Sequence, residues 1–218
     1  MDIGQGYLLI VEDDPDIRAL LDTTLRFKKF RVVTAQNGKE ALDIIQKKRP
    51  TLVIADIMMP HLDGFGLVHR MRINPETRMI PVVFISATYV ASEDRDFALR
   101  IGATRFIQKP VDIDKFVGVV EELLKQDPHT IPQPLNEFAF YEGYRNRLES
   151  KLEERVRQIA REEHLLGGRS ESEDQDIRMS LRHAYREQEE LKVLLSEIYK
   201  HLERIGGKEN KKNNEHEK

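Results

Sequence analysis

From Tyr7 to Leu124 the chain repeats one pattern five times: a short apolar run, then a segment with the spacing of an amphipathic helix. The runs are Tyr7–Val11, Phe30–Thr34, Leu52–Ala55, Val82–Ile85 and Arg105–Ile107, rich in Val, Ile and Phe as buried strands are. Between them, Ile17, Leu20, Leu21 and Thr24 share one helical face, and Ala41, Leu42 and Ile45 another, after a cap within Asn37–Glu40. Val68 and Met71 mark a third helix. Phe97, Ala98 and Ile101 mark a fourth, capped by Ser92. Ile113, Phe116, Val117, Val120 and Leu124 mark a fifth, capped by Asp112. Strands alternating with helices imply an α/β domain with a five-stranded parallel sheet covered on both faces.

The residues that end the strands carry the chemistry. The third run, Leu52-Val-Ile-Ala, stops abruptly at Asp56, and Pro60 and Gly64 follow in a turn-forming segment. The first run ends in Glu12-Asp13-Asp14, with Pro15 well placed to open the next helix. Parallel strands bring both acidic ends to one edge of the sheet, where sites form in open α/β folds. Carboxylates crowded there repel one another unless neutralised. Mg²⁺ does this with oxygen ligands, using one or two carboxylates and leaving positions for water or a phosphoryl group. Alone, Glu12–Asp14 also read as an acidic cluster favouring a helix N-terminus. The fourth run ends in Ser86-Ala87, a hydroxyl, and the fifth in Lys109-Pro110, a cation suited to phosphate.

Leu8-Leu-Ile-Val-Glu-Asp-Asp, Asp56-Ile-Met-Met-Pro-His-Leu-Asp-Gly, Ser86-Ala and Lys109-Pro, at these spacings, resemble the receiver domain of two-component response regulators. The resemblance covers residues 5–126, placing a receiver domain at 1–126, and implies a flavodoxin-like (βα)5 fold. It implies that Asp56 is the phosphoacceptor and that Glu12 and Asp13 form the acidic pocket. Asp13, Asp56 and the Met58 carbonyl would hold Mg²⁺, Ser86 and Lys109 would contact the phosphoryl oxygens, and Phe106 occupies the aromatic switch position. Asp14 would stand outside the metal's ligands, with the choice of Asp13 over Asp14 resting on register. The implied donor is a sensor histidine kinase or phosphotransfer protein.

Asp127-Pro-His-Thr-Ile-Pro-Gln-Pro134 ends this domain as a stiff, extended linker, 127–135. The region 136–206 has no strand pattern. Leu152, Val156, Ile159, Glu163 and Leu166 give one helical face, stopped by Gly167-Gly168. After a polar break at Arg169–Asp176, Ile177, Leu181, Ala184, Gln188, Leu191, Leu195, Ile198, Leu202 and Ile205 keep 4-3 spacing over four heptads. Such a seam needs a partner, either the preceding helix of the same chain or another chain. Two helical hairpins would make a four-helix dimer, and homodimerisation through these helices is the expectation. Gly206-Gly207 would end the helix, leaving 207–218 as a disordered tail.

This region has 17 basic and 19 acidic residues from Pro134 on, and no helix-turn-helix with a basic face, so no nucleic-acid output is expected. No nucleotide loop, metal-ligand spacing or nucleophile–base pair points to an enzyme. The net charge is −3, no run spans a bilayer, there is no cysteine, and Met1–Gly6 has no signal-peptide core. The expectation is a cytoplasmic signalling protein, with no membrane insertion, acting on an unknown downstream protein through its C-terminal helices. The alternatives are a constitutive coiled-coil scaffold with a vestigial receiver, and a phosphotransfer domain built on His183. Neither His183 nor His201 lies in a recognisable phosphotransfer motif, and an exposed helical His is far more often inert.

Overall fold

The computed structural model describes residues 6–87, 92–125, 135–166 and 175–215. Two compact units divide the chain between Leu135 and Asn136.

The first unit runs β1 (Leu8–Val11), α1 (Pro15–Phe27), β2 (Val32–Ala35), α2 (Gly38–Lys47), β3 (Leu52–Asp56), α3 (Gly64–Ile73), β4 (Val82–Ser86), α4 (Ser92–Arg100), β5 (Arg105–Gln108) and α5 (Ile113–Lys125). All strands are parallel, in the order β2-β1-β3-β4-β5. The three central strands are buried along their whole length, which is why they read as unbroken apolar runs. The edge strands β2 and β5 tolerate polar residues because one flank is open. On one face Leu8, Ile10, Leu21, Leu25, Ile54, Val83 and Phe116 pack together. Phe84 alternates to the other face, where its ring and that of Phe97 each meet Phe65 edge-on at 5.5 and 5.1 Å.

The caps follow from local chemistry. Asp14 accepts from the amides of Asp16 and Ile17 and starts α1, with Pro15 in the first turn, where a missing N–H costs nothing. Asn37 accepts from the Glu40 amide, and the Glu40 carboxylate reaches back to the Gln36 amide. Two helical faces differ from the spacing-based reading. In α1 the buried pair is Leu21 and Leu25, while Leu20 is 53% exposed; in α5 Leu123 is buried and Leu124 is half-buried. The α1 pair four apart points straight at the sheet, whereas Leu20 flanks it.

Arg72 of α3 is the largest fully buried side chain among the described residues. Its guanidinium donates twice to the Gly102 carbonyl, at 3.0 and 2.7 Å, and once to the Ile80 carbonyl, at 3.0 Å. Burial pulls its pKa down to about 10, so the cation persists and ties α3 to the segments entering β4 and β5. A Cβ on Gly102, whose φ is +103°, would sit 2.6 Å from Arg72 Nε.

The second unit holds α6 (Glu137–Leu166) and α7 (Gln175–Glu215), which pack on each other as a helical hairpin. Ala184, Leu191, Ile198 and Leu202 of the heptad are buried; Ile177, Leu181, Gln188, Leu195 and Ile205 are half-buried. In α6 the seam is rotated from the expected one. Phe140, Tyr144, Leu148, Lys151 and Ile159 are buried, while Val156 is 47% exposed and Glu163 is exposed. The cause is amphipathic: Lys151 buries its stem and holds Glu154 at 3.2 Å, and Arg155 pairs with Glu187 of α7 at 2.7 Å. Charged side chains thereby fill positions that a hydrophobicity pattern leaves to solvent. Ser180 donates to Glu162 at 2.9 Å, Tyr185 to Glu163 and Tyr199 to Glu149, further tying the helices together.

The reading of Gly206-Gly207 as a stop, with a disordered tail after it, is corrected for residues 207–215: α7 continues to Glu215. Two glycines cost a helix about 1 kcal/mol each, and propagation from an established helix adds a hydrogen bond per residue. The linker apart from Leu135, residues 167–174 and residues 216–218 lie outside the described residues; Gln175 and Asp176, expected in the polar break, belong to α7.

Candidate functional site

The register of the sheet assembles the site. Val11 pairs with Ala55, so Glu12, one residue on, arrives beside Asp56. Asp56 pairs with Ile85, which brings Ser86 to the same edge; Ser86 pairs with Gln108, and Lys109 follows. Four consecutive strand ends thus deliver a carboxylate, a second carboxylate, a hydroxyl and an ammonium to the carboxyl edge. They meet where the winding order changes between β1 and β3, the crevice in which ligands bind in open α/β sheets.

Asp56 is 8% exposed and Glu12 only 1%. The Ile57 amide donates to Asp56 Oδ1 at 2.6 Å, and the Met58 amide approaches the same oxygen at 3.4 Å. Lys109 Nζ donates to Asp56 Oδ2 at 2.6 Å and to Glu12 Oε2 and Oε1 at 3.0 and 3.2 Å. The Lys109 amide donates to the Ser86 carbonyl at 2.9 Å, and the Lys109–Pro110 peptide is cis. Ser86 is buried. Glu12, Asp13 and Asp56 can each place one carboxylate oxygen within 4.8 Å of the others, while Asp14 is engaged in capping α1. Phe106 lies half-buried on β5, and the Arg95 guanidinium stands over its ring, 5.4 Å from the centroid.

One lysine does not balance three acids. Burial, and after it the charge of Asp56, pushes Glu12 up to about 7, against the pull of Lys109. Burial likewise raises Asp56. Lys109 is drawn down by burial, but the two carboxylates outweigh that and raise it, so it stays charged. The site carries excess negative charge with an exposed carboxylate, Asp13, at its mouth. Its oxygen-only donor set fits a hard divalent cation such as Mg²⁺.

Two residues that shape the site were not read from the sequence as participants. A Cβ on Gly64 would lie 2.3 Å from the Asp56 carbonyl oxygen and 2.9 Å from Ile57 Cα, so only glycine lets α3 start against the end of β3. Arg18 of α1 donates from Nη1 to the backbone carbonyls of Glu12 and Asp13 at 2.6 and 3.0 Å. The glycine sits inside the Asp56–Gly64 motif, whereas nothing in the sequence signals where Arg18 reaches. His183, by contrast, is a solvent-facing side chain on α7, 67% exposed, 3.3 Å from Glu187.

The family model of the response regulator receiver domain matches residues 8–121, just over half of the chain, and the chain belongs to that family. A 14.6 kDa protein of Leptolyngbya boryana, from the sodA1 3' region, is 38% identical over 120 residues, 55% of this chain and 91% of that protein. The response regulator Rre1 of Synechocystis is 36% identical over 118 residues, 54% of this chain and 51% of the relative, so the chain spans about half of that protein's length. Among solved structures, the receiver domain of NtrX from Brucella abortus is 33% identical with a TM-score of 0.51, covering 55% of this chain and 99% of that one. Among the described residues no helix is long and apolar enough to cross a membrane.

Proposed function

We propose that this protein is a phosphorylation-switched signalling protein in which Asp56 accepts a phosphoryl group from a sensor histidine kinase or a phosphotransfer protein. The observation that carries the reading is the convergence of Glu12, Asp56 and Lys109 within hydrogen-bonding reach at the carboxyl edge, with Asp13 beside them. An Asp56 carboxylate oxygen forms a bond to phosphorus as the bond from phosphorus to the donor's imidazole nitrogen breaks. The electron pair stays on that nitrogen, which takes up a proton. Lys109 leaves its ion pair with Asp56 to follow the charge onto the phosphoryl oxygens, and the Ser86 hydroxyl donates to one of them. Asp13, Asp56 and the Met58 carbonyl are the residues that would hold Mg²⁺, which when bound neutralises the carboxylates and the transferring oxygens.

The acyl phosphate then engages Ser86, and Phe106 rotates inward from beneath Arg95. This alters the surface formed by α4 and β5. The output is protein interaction through the C-terminal hairpin, without DNA binding and without an enzymatic activity beyond self-catalysed phosphoryl transfer and slow dephosphorylation. A cytoplasmic setting suits such a donor. We assign homodimerisation to the hairpin as well, because Val156 and Val193 stand 47% and 61% exposed outside its seam. Incubation with a small phosphodonor and Mg²⁺ tests the reading: the wild-type chain takes up acid-labile phosphate, and Asp56→Asn takes up none. Undiminished incorporation in the variant would remove Asp56 from the role.

A further inference from the structure

The β1–α1 loop holds two acids that gain nothing electrostatically from standing close to Asp56. Its two ends are anchored: the Glu12 amide donates to the Ala35 carbonyl at 3.1 Å, and Asp14 caps α1. Between these anchors a side chain grips the backbone of the loop. Arg18, one turn into α1, folds back so that a single guanidinium nitrogen donates to two successive carbonyls, Glu12 at 2.6 Å and Asp13 at 3.0 Å. These peptide oxygens flank the Asp13 Cα, so the clamp sets the orientation from which the exposed Asp13 carboxylate approaches Asp56. The guanidinium also brings a fixed positive charge that stays out of the carboxylate cluster and therefore need not be displaced when a cation enters.

We infer that Arg18 is a positioning residue for the metal site, holding the Asp13 peptide in the conformation that binds a divalent cation. The inference rests on the proposed metal-binding role of Asp13. A loop free to turn Asp13 outward would relieve its repulsion from Glu12 and Asp56, and binding Mg²⁺ would then have to reverse that movement. With Arg18 in place the ordering precedes binding, and affinity rises without any contact between Arg18 and the ion.

The test is calorimetric titration of the 218-residue chain with Mg²⁺ at pH 8, comparing wild type, Arg18→Met, Arg18→Lys and Asp13→Asn, with thermal melts in EDTA alongside. Methionine keeps the length of the stem and removes the donors; lysine restores a charged donor. Arg18→Met is expected to weaken Mg²⁺ binding about five- to twentyfold, with Arg18→Lys in between and metal-free melting temperatures close to wild type. Asp13→Asn should lose binding. Arg18→Met binding within about twofold of wild type, with Asp13→Asn still defective, would overturn the positioning role and leave the metal site standing. A loss of affinity matched by a large fall in the metal-free melting temperature would also overturn it, since Arg18 would then support the fold at large. Wild-type binding by Asp13→Asn would remove the metal-site reading and the inference together.

Discussion

Glu12 is expected to make the metal-free protein lose stability as the pH rises toward neutrality. Its carboxyl has an ordinary value of 4.5 and is pushed up to about 7 in the fold, by burial first and the Asp56 charge second. Between those values the folded chain binds a proton that the unfolded chain has released, so stability falls as pH rises through that window. At 1.36 kcal/mol per pH unit, the interval from 4.5 to about 7 corresponds to about 3 kcal/mol, complete by pH 8. Asp56, raised for the same reason, acts in the same direction. Lys109 is raised from 10.5, so its contribution is fully present throughout and is lost only at more alkaline pH. Glu12→Gln mimics the protonated acid. It should match wild type near pH 4.5 and exceed it by about 2–3 kcal/mol at pH 8, or roughly 6–12 °C in melting temperature for a domain of this size. Guanidinium unfolding in EDTA from pH 4.5 to 8.5 measures both curves. Saturating Mg²⁺ should stabilise wild type more at pH 8 than at pH 5.5, because the cation takes the place of the proton. A wild-type stability that is flat or rising between pH 5 and 8, parallel to that of Glu12→Gln, would refute the electrostatic account.

Arg95→Ala removes a cation–π contact worth about 0.5–1 kcal/mol at an exposed site. It should favour inward Phe106 and tighten binding of beryllofluoride about two- to fivefold, with no change counting against a restraint of Phe106 by Arg95. Gly64→Ala forces a Cβ onto the Asp56 carbonyl and should cost at least about 2 kcal/mol in chemical denaturation and depress phosphorylation; a neutral result would show that α3 shifts freely. Val156→Glu changes a surface position of the hairpin, so it should leave helicity intact while converting a dimer of the 25.4 kDa chain to monomer in sedimentation; a dimer of unchanged strength would remove α6 from that interface.

The strands and the convergence of their ends were legible because both are matters of pattern and register. Runs buried on both faces carry no polar residue before their last position or the one after it, so the first one, Asp56 or Glu12, marks the edge itself. The choice between Asp13 and Asp14 turns on a cap: the side chain that accepts the α1 amides is held away from the cluster. What stayed hidden depends on side-chain reach. Lys151 and Arg155 occupy the α6 seam on the strength of their stems and an ion pair with Glu187, which no hydrophobicity pattern encodes. Arg72 and Arg18 act by finding backbone carbonyls eight or more and five to six residues away, and their identity in the sequence is that of any helical arginine. The helix through Gly206-Gly207 reflects cooperativity, which a residue-by-residue stop signal ignores.

The role of Asp56 as phosphoacceptor is tested most directly by trapping the acyl phosphate. The 218-residue chain, phosphorylated by a small phosphodonor with Mg²⁺, is reduced with borohydride, digested and mapped by mass spectrometry. Reduction of an aspartyl phosphate leaves homoserine, and the account predicts it at position 56 alone, absent from Asp56→Asn. Phosphate retained on His183, homoserine at position 13 or 14, or no modification of the wild-type chain would contradict it.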